Sequence, residues 1–363
     1  MADRVVAIVP TYNEDEYIAA TLRSLASQHP RPVVVVVDRP GTDGTRETVR
    51  RVSAEEAMET VVIEDTVHTM SGARRLAVEF ARRNLSPDYF LSMDADTVLP
   101  AGWLGEALSA AKAGPYGLVA GEGYFESAFW RSVPHLAAQY ARHVGRVFFP
   151  QDIYDEHRAD PPMFESVFRR FGRPPSDCAM LVSSSALAVT GDIPEDRDEN
   201  GEVEQGVGWP LMVRLLDAGQ AITSIASPMY ETSARRLLGD AVALLDSSTY
   251  AGVSTESYRH DSDGLRRALD DHADRLDFGQ LQEYVVRNYV ILACLLRPRL
   301  VSVNADLFGE ELAGELRAAV LDEGASEDAA RNRAPLEVFA TARRLTPLFF
   351  DRIVAAFERE RAW

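Results

Sequence analysis

Tyr89-Phe90-Leu91-Ser92-Met93-Asp94-Ala95-Asp96-Thr97 is an apolar run that ends in two carboxylates. A short run of this kind reads as a buried strand. In open α/β sheets ligands collect outside the carboxyl ends of the strands, so an acidic pair at that rim can hold a divalent cation. The same Asp-x-Asp spelling recurs at Asp196-Arg197-Asp198 and Asp261-Ser262-Asp263, where the neighbouring residues read as solvated loop. Only the first pair closes a strand.

Upstream, Val5 to Val9 is a continuous apolar run closed by Pro10, and Val33 to Val37 repeats the pattern and ends at Asp38. Uninterrupted Val and Ile indicate strands buried on both faces. Between the runs, Ile18, Leu22 and Leu25, then Val49 and Val52, then Leu76, Ala77 and Phe80 recur at helical spacing. Asn13 stands where it can cap the first helix, with Glu16 in the capping-box position. A shorter strand is expected at Val61 to Ile63, and a helix from about Ser71. Strands alternating with helices through short links predict a mostly parallel sheet covered on both sides.

Downstream the pattern loosens. Gly117 to Ala120, Ala179 to Ser183 and Ala221 to Ile225 read as strands, and the acid-rich segment Asp192 to Gln205 reads as a loop. Beyond Ser233 apolar residues at three- and four-residue spacing predict helices over Leu265–Leu276, Leu281–Leu296, Leu312–Leu321 and Phe339–Phe357. The expected division is residues 1–114 as a nucleotide-binding half, 115–232 as an acceptor-side half, and 233–363 as a helical C-terminal module.

With 363 residues, 46% of them hydrophobic, the chain can fill a sizeable core. A formal charge of −18 argues against a nucleic-acid partner, whose phosphates need clustered Lys and Arg. Lys112 is the only lysine, so an anionic ligand must be met by local devices built on arginine. Cys178 and Cys294 are far apart and form no zinc-type spacing; both read as core residues. No apolar run approaches the length of a membrane span, and the N-terminus enters a strand without the features of a signal peptide. The expectation is a cytoplasmic protein with a soluble acceptor.

The motifs Val9-Pro10-Thr11-Tyr12-Asn13-Glu14, Val36-Val37-Asp38 with Thr42-Asp43-Gly44-Thr45, Gly72-Ala73-Arg74, and Asp94-Ala95-Asp96-Thr97 with Trp103-Leu104 follow one another in the chain. In that order they resemble family 2 glycosyltransferases of the GT-A fold. The resemblance implies a nucleotide site at Pro10, Thr11, Tyr12, Glu14, Asp38, Arg74, Asp94 and Ala95. Asp38 would accept the ring N–H of uracil or guanine, with Thr11 and Tyr12 lining the base pocket. Arg74 would reach the nucleotide, Asp94 the ribose or the metal's water shell, and Asp96 would bind Mg2+ or Mn2+ bridging to the diphosphate. Two plainer roles stay open from the residues alone: Asp38 as a turn cap and Asp96 as a helix cap. The family usually has a second acid after Asp38; here Arg39-Pro40 follows.

The acceptor side matches less fully. Arg214-Leu215-Leu216-Asp217-Ala218-Gly219 resembles the end of the family's catalytic-base helix, but the acidic positions fall on Val207 and Gly208. Glu204, about one helical turn upstream, is the candidate general base. Ser233, Arg235 and Arg236 are candidates for the diphosphate. The resemblance thus implies an inverting, metal-dependent transfer from a nucleoside diphosphate sugar to an acceptor hydroxyl. Its alternatives are a nucleotide-sugar-binding protein without catalysis and, less favoured, a nucleotidyltransferase, which would carry a Gly-rich basic loop where Thr11-Tyr12-Asn13-Glu14 stands.

Overall fold

The computed structural model describes residues 3–143, 149–157, 167, 170–171, 178–191, 193, 208–234, 262–271, 273–275, 278–322 and 335–361. The acid-rich stretch 194–205, with Glu204 in it, and Arg235 and Arg236 lie outside these residues. Contacts divide the chain into two compact units, Met1–Gly123 with Pro174–Thr232 and Tyr124–Arg173 with Ser233–Trp363.

The first unit is built on an eight-stranded mixed sheet. Its strands are β1 (Val5–Thr11), β2 (Val33–Asp38), β3 (Thr60–Glu64), β4 (Tyr89–Met93), β5 (Thr97–Val98), β6 (Tyr116–Phe125), β7 (Ala179–Ser183) and β8 (Ala221–Thr232), in the order β3-β2-β1-β4-β7-β6-β8-β5. β3, β2, β1 and β4 are parallel, whereas β7 runs antiparallel to both β4 and β6. From β1 the chain steps outward through β2 and β3, then returns to lay β4 on the other side of β1. That reversal makes the β1–β4 junction a topological switch point, where a crevice opens at the carboxyl ends.

Strand pleating sorts the apolar runs into two cores. Val5, Ala7, Val9, Val34, Val36 and Leu91 face helices α1 (Ile18–Ala26), α2 (Thr45–Glu55) and α4 (Trp103–Lys112). Val6, Ile8, Val33, Val35, Val37 and Phe90 face α3 (Met70–Asn84) and the apolar side of Gly208–Asp217. Helices on both faces leave these strands no exposed side, which is why they read as unbroken apolar runs rather than alternating ones. Helix α3 lays Ala73, Ala77 and Ala81 on the sheet, and such small side chains let it approach closely.

β6 carries glycines where rings cross it. A Cβ on Gly121 would lie 2.7 Å from the buried Trp103 ring, and one on Gly123 would lie 2.0 Å from the buried Tyr230 ring. Gly123→Ala is therefore expected to cost about 1–3 kcal/mol of stability, the usual penalty of overpacking. Urea unfolding measures it, and a wild-type midpoint would show that the Tyr230 ring has room to move.

Among the described residues of the second unit, the regular structure is helical apart from the last residues of β6. Phe125, Phe129, Trp130, Tyr140 and Phe149 form an aromatic cluster, with Trp130 and Phe149 stacked at 4.0 Å. The long helix Pro335–Arg361 packs against the π-helical turn Val286–Ile291, and Arg170 bonds Asp306 at 3.1 Å and Glu360 at 2.8 Å. Cys294 is a buried core residue, and burial pushes its thiol up to about 12, which leaves it inert at neutral pH. Among the described residues no helix is long and apolar enough to cross a membrane.

Candidate active site

Five buried acids stand at or just beyond the carboxyl ends of β1 to β4: Glu14, Asp38, Asp65, Asp94 and Asp96. Parallel strands deliver their ends to one rim, so residues far apart in sequence meet there. β1 and β2 pair Thr11 with Asp38, and the Thr11 hydroxyl donates to Asp38 Oδ1 at 3.0 Å. Arg46, on α2, donates from Nε to Asp38 Oδ2 at 2.8 Å. Asp38 is thus fixed by side chains from two other elements and does not cap the following turn through any hydrogen bond among the described residues. A carboxylate has about four lone-pair sites, so it retains capacity for a further donor.

Tyr12 lies half exposed at the rim, and the Arg39 guanidinium sits over its ring at 4.5 Å. The residue that replaces the family's second acid therefore supplies a cation–π contact. Asn13 does not cap α1. It adopts a left-handed φ of 56°, and its side-chain oxygen accepts the Thr42 amide at 3.0 Å. The helix begins only at Ile18, because the Glu14 carbonyl first accepts the amides of Tyr17 and Ile18 in a turn.

Arg74 departs from the simplest expectation. It is 1% exposed and lies beneath the rim, where Nε donates to Ser92 at 2.9 Å and Nη2 to Asp94 at 2.6 Å. Asp94 is correspondingly 5% exposed. Asp96 is buried in the turn that leads into β5, not at a helix start, so the helix-cap role does not apply to it. Ala95 is held by its carbonyl, which accepts the Thr21 hydroxyl at 2.6 Å.

Thr21 and Ser24 on α1, with Gln28 just past its end, grip this turn and the chain after it. Ser24 Oγ accepts the Leu99 amide at 3.1 Å, and Gln28 bonds Pro100 and Leu104 at 3.0 and 3.1 Å. None of the three belongs to a motif. Their spacing of three and four residues on an apolar helix was the available signal: a polar ridge beside Leu22 and Leu25 has to meet buried backbone.

β5 pairs with β8 so that Thr97 faces Thr232, their hydroxyls 3.2 Å apart, and Val98 faces Glu231. Burial pushes the Glu231 carboxyl above the ordinary carboxylate range. Ser233 follows β8 and is buried.

Among the described residues no three or more carboxylate, imidazole or thiol side chains converge into a metal cage. The donors present suit a hard cation of another kind: Mg2+-type sites commonly use one or two carboxylates and complete their shell with substrate phosphates and water. Asp96, with Asp94 neutralised by Arg74, fits that pattern.

The sequence profile of glycosyl transferase family 2 matches residues 6–176, which span β1 to β6 and every motif at the acidic rim. Residues 6–176 are a glycosyl transferase family 2 domain. The class of enzyme, a glycosyltransferase, comes with the domain, and its sheet is the GT-A sheet that the motif order implied. Solved structures also resemble this glycosyl transferase. The mannosyltransferase PcManGT from Pyrobaculum calidifontis, in complex with GDP-Man and Mn2+, is 15% identical at a TM-score of 0.47, over 96% of this chain and 88% of that one. TarS 1-349 from S. aureus, in complex with UDP-GlcNAc, is 16% identical at 0.47, over 99% and 92%. Glucosyl-3-phosphoglycerate synthase from Mycobacterium tuberculosis, with Mn2+, UDP and phosphoglyceric acid, is 13% identical at 0.39, over 67% and 78%. Likeness at this level carries no argument about substrate or metal. No curated protein matches the sequence.

Proposed function

We propose that this glycosyl transferase moves a sugar from a nucleoside diphosphate sugar to an acceptor hydroxyl, with inversion at the anomeric carbon and with Mg2+ or Mn2+ bound at Asp96. The observation that carries the reading is the buried acid turn Asp94-Ala95-Asp96 at the β4 end, on the same rim as the Thr11–Asp38 pair.

Each residue has a part in this reading. Asp38 and Thr11 orient the base, Tyr12 with Arg39 offers it a stacking surface, and Pro10 and Glu14 shape the loop beside it. Arg74 holds Asp94 rather than the nucleotide. Asp96 holds the cation, which when bound stabilises charge on the departing diphosphate. Ser233, Arg235 and Arg236 are proposed donors to the same diphosphate. Glu204 is the proposed base: the acceptor oxygen bonds to the anomeric carbon as the bond to phosphate breaks, and Glu204 takes the acceptor's proton.

A second reading, a nucleotide-sugar-binding protein of the same fold without transfer, is favoured by one observation. Helix Gly208–Asp217 has no acid in its first turn, where the family's base would be expected.

A thermal-shift panel of UDP, dTDP, GDP, CDP and ADP, each with and without Mn2+, tests the donor half. One nucleotide is expected to raise the melting temperature only with Mn2+; at a hundred times its Kd the gain is about 2.7 kcal/mol. No shift with any of them would remove the reading. Release of nucleoside diphosphate from the matching sugar donor then separates transfer from binding alone.

A further inference from the structure

The loop that leads into α3 starts beside the Thr11–Asp38 pair. The Asp38 carbonyl accepts the Asp65 amide at 3.0 Å, and Asp65 Oδ1 accepts the amides of Val67 and His68 at 2.9 Å each. Thr69 then caps the helix by accepting the Gly72 amide at 3.1 Å. The amides of Met70 and Ser71 have no acceptor within the helix, as at any helix N-terminus. These groups form the positive end of a fifteen-residue helix.

Ser71 adds an independent observation. It is 3% exposed, and its hydroxyl has no hydrogen-bond partner among the described residues. Other hydroxyls in or at the ends of helices find a partner: Ser24, Ser27 and Thr346 return to the carbonyls of Thr21, Ser24 and Ala342 one turn back, and Thr21 donates across to Ala95. Ser71 stands in the first turn and has no such carbonyl behind it. A buried hydroxyl without a partner is costly and calls for a reason.

Its direction follows from helical spacing. Ser71 lies three residues before Arg74 and seven before Val78, on the stripe that faces the sheet. It is one turn nearer the carboxyl rim than Arg74. α3 packs across β1 and β2, and a helix that joins parallel strands begins at their carboxyl rim, so its first turn stands at the end of the sheet where Thr11 and Asp38 lie.

We propose that Ser71, with the first-turn amides of α3, donates to a carbonyl of the donor's base whose adjacent ring N–H is accepted by Asp38. The inference rests on the glycosyltransferase reading above. An acceptor at Asp38 beside a donor at Ser71 complements an N–H flanked by a C=O, the edge presented by uracil, thymine and guanine. In the same pose cytosine and adenine set an acceptor ring nitrogen against the Asp38 carboxylate, which has no proton to give it. Ser71 is thus a specificity-determining residue for the base.

Calorimetric titration of UDP, dTDP, GDP, CDP, ADP and inorganic pyrophosphate in Mn2+, with wild type and Ser71→Ala, tests it. Wild type is expected to prefer UDP, dTDP or GDP. Ser71→Ala is expected to weaken that nucleotide about fivefold, to leave CDP, ADP and pyrophosphate unchanged, and to melt no lower than wild type without nucleotide. Unchanged affinity for the preferred nucleotide overturns the proposal. Equal weakening of every diphosphate, pyrophosphate included, also overturns it and places Ser71 on phosphate. A wild type that prefers CDP or ADP overturns it while leaving the glycosyltransferase reading intact; a wild type that binds none of them overturns both.

Discussion

Asp96→Asn is expected to lower turnover of the nucleotide-sugar donor at least a thousandfold, about 4 kcal/mol of transition-state stabilisation, with the fold retained. The substitution keeps the shape of the side chain in a buried turn and removes its charge. An amide is a poor ligand for a hard cation, and the neighbouring Asp94 cannot replace it while Arg74 holds it at 2.6 Å. The acid's contribution is realised as charge develops on the departing diphosphate, so kcat falls more than donor affinity. Nucleoside diphosphate release over a Mn2+ titration measures it. A variant that kept both its turnover and its Mn2+ dependence would remove Asp96 from the metal site.

The second large effect is on stability. Arg74→Ala is expected to cost about 3–5 kcal/mol, because it leaves the Asp94 carboxylate buried without its cation. Arg74 and Asp94 are both almost fully enclosed, with side chains 1% and 6% exposed, so water cannot take over the lost contact. The loss also strands the Ser92 hydroxyl, which now accepts from Arg74 Nε. Arg74→Met with Asp94→Leu, which removes both charges, is expected to recover most of the stability and none of the activity. Guanidinium unfolding of Arg74→Met alone, Asp94→Leu alone and the double gives the coupling between the two residues. Additive losses would show that the pair is not the unit argued here.

Most of the sheet was legible because its strands are buried on both faces. Val5 to Val9 and Val33 to Val37 could be little else, and each ended in the residue that the structure places at the rim. The C-terminal helices were equally plain from spacing, with Phe278–Leu296 and Pro335–Arg361 covering two of the expected segments. What the sequence concealed were contacts between elements. Nothing local marks Arg46 as the partner of Asp38, since an arginine on α2 reads as a solvated face. Arg74 looked like a nucleotide contact by motif, yet its neighbours at Ser92 and Asp94 are 18 and 20 residues away in the chain. Asn13 failed as a cap because its side chain was taken by Thr42, across the rim. β8 runs to Thr232, seven residues beyond the expected Ile225, because its pairing with β5 sustains a strand through Ser227-Pro228 that composition alone would have ended.

The grip of α1 on the acid turn bears on how this enzyme could be rebuilt. Thr21 holds the Ala95 carbonyl, and Ser24 and Gln28 hold the chain from Leu99 to Leu104. The turn is therefore not a portable cassette. Grafting residues 94–97 from a relative would import the acids without the ridge that seats them, and a workable chimera would have to exchange α1 together with the turn.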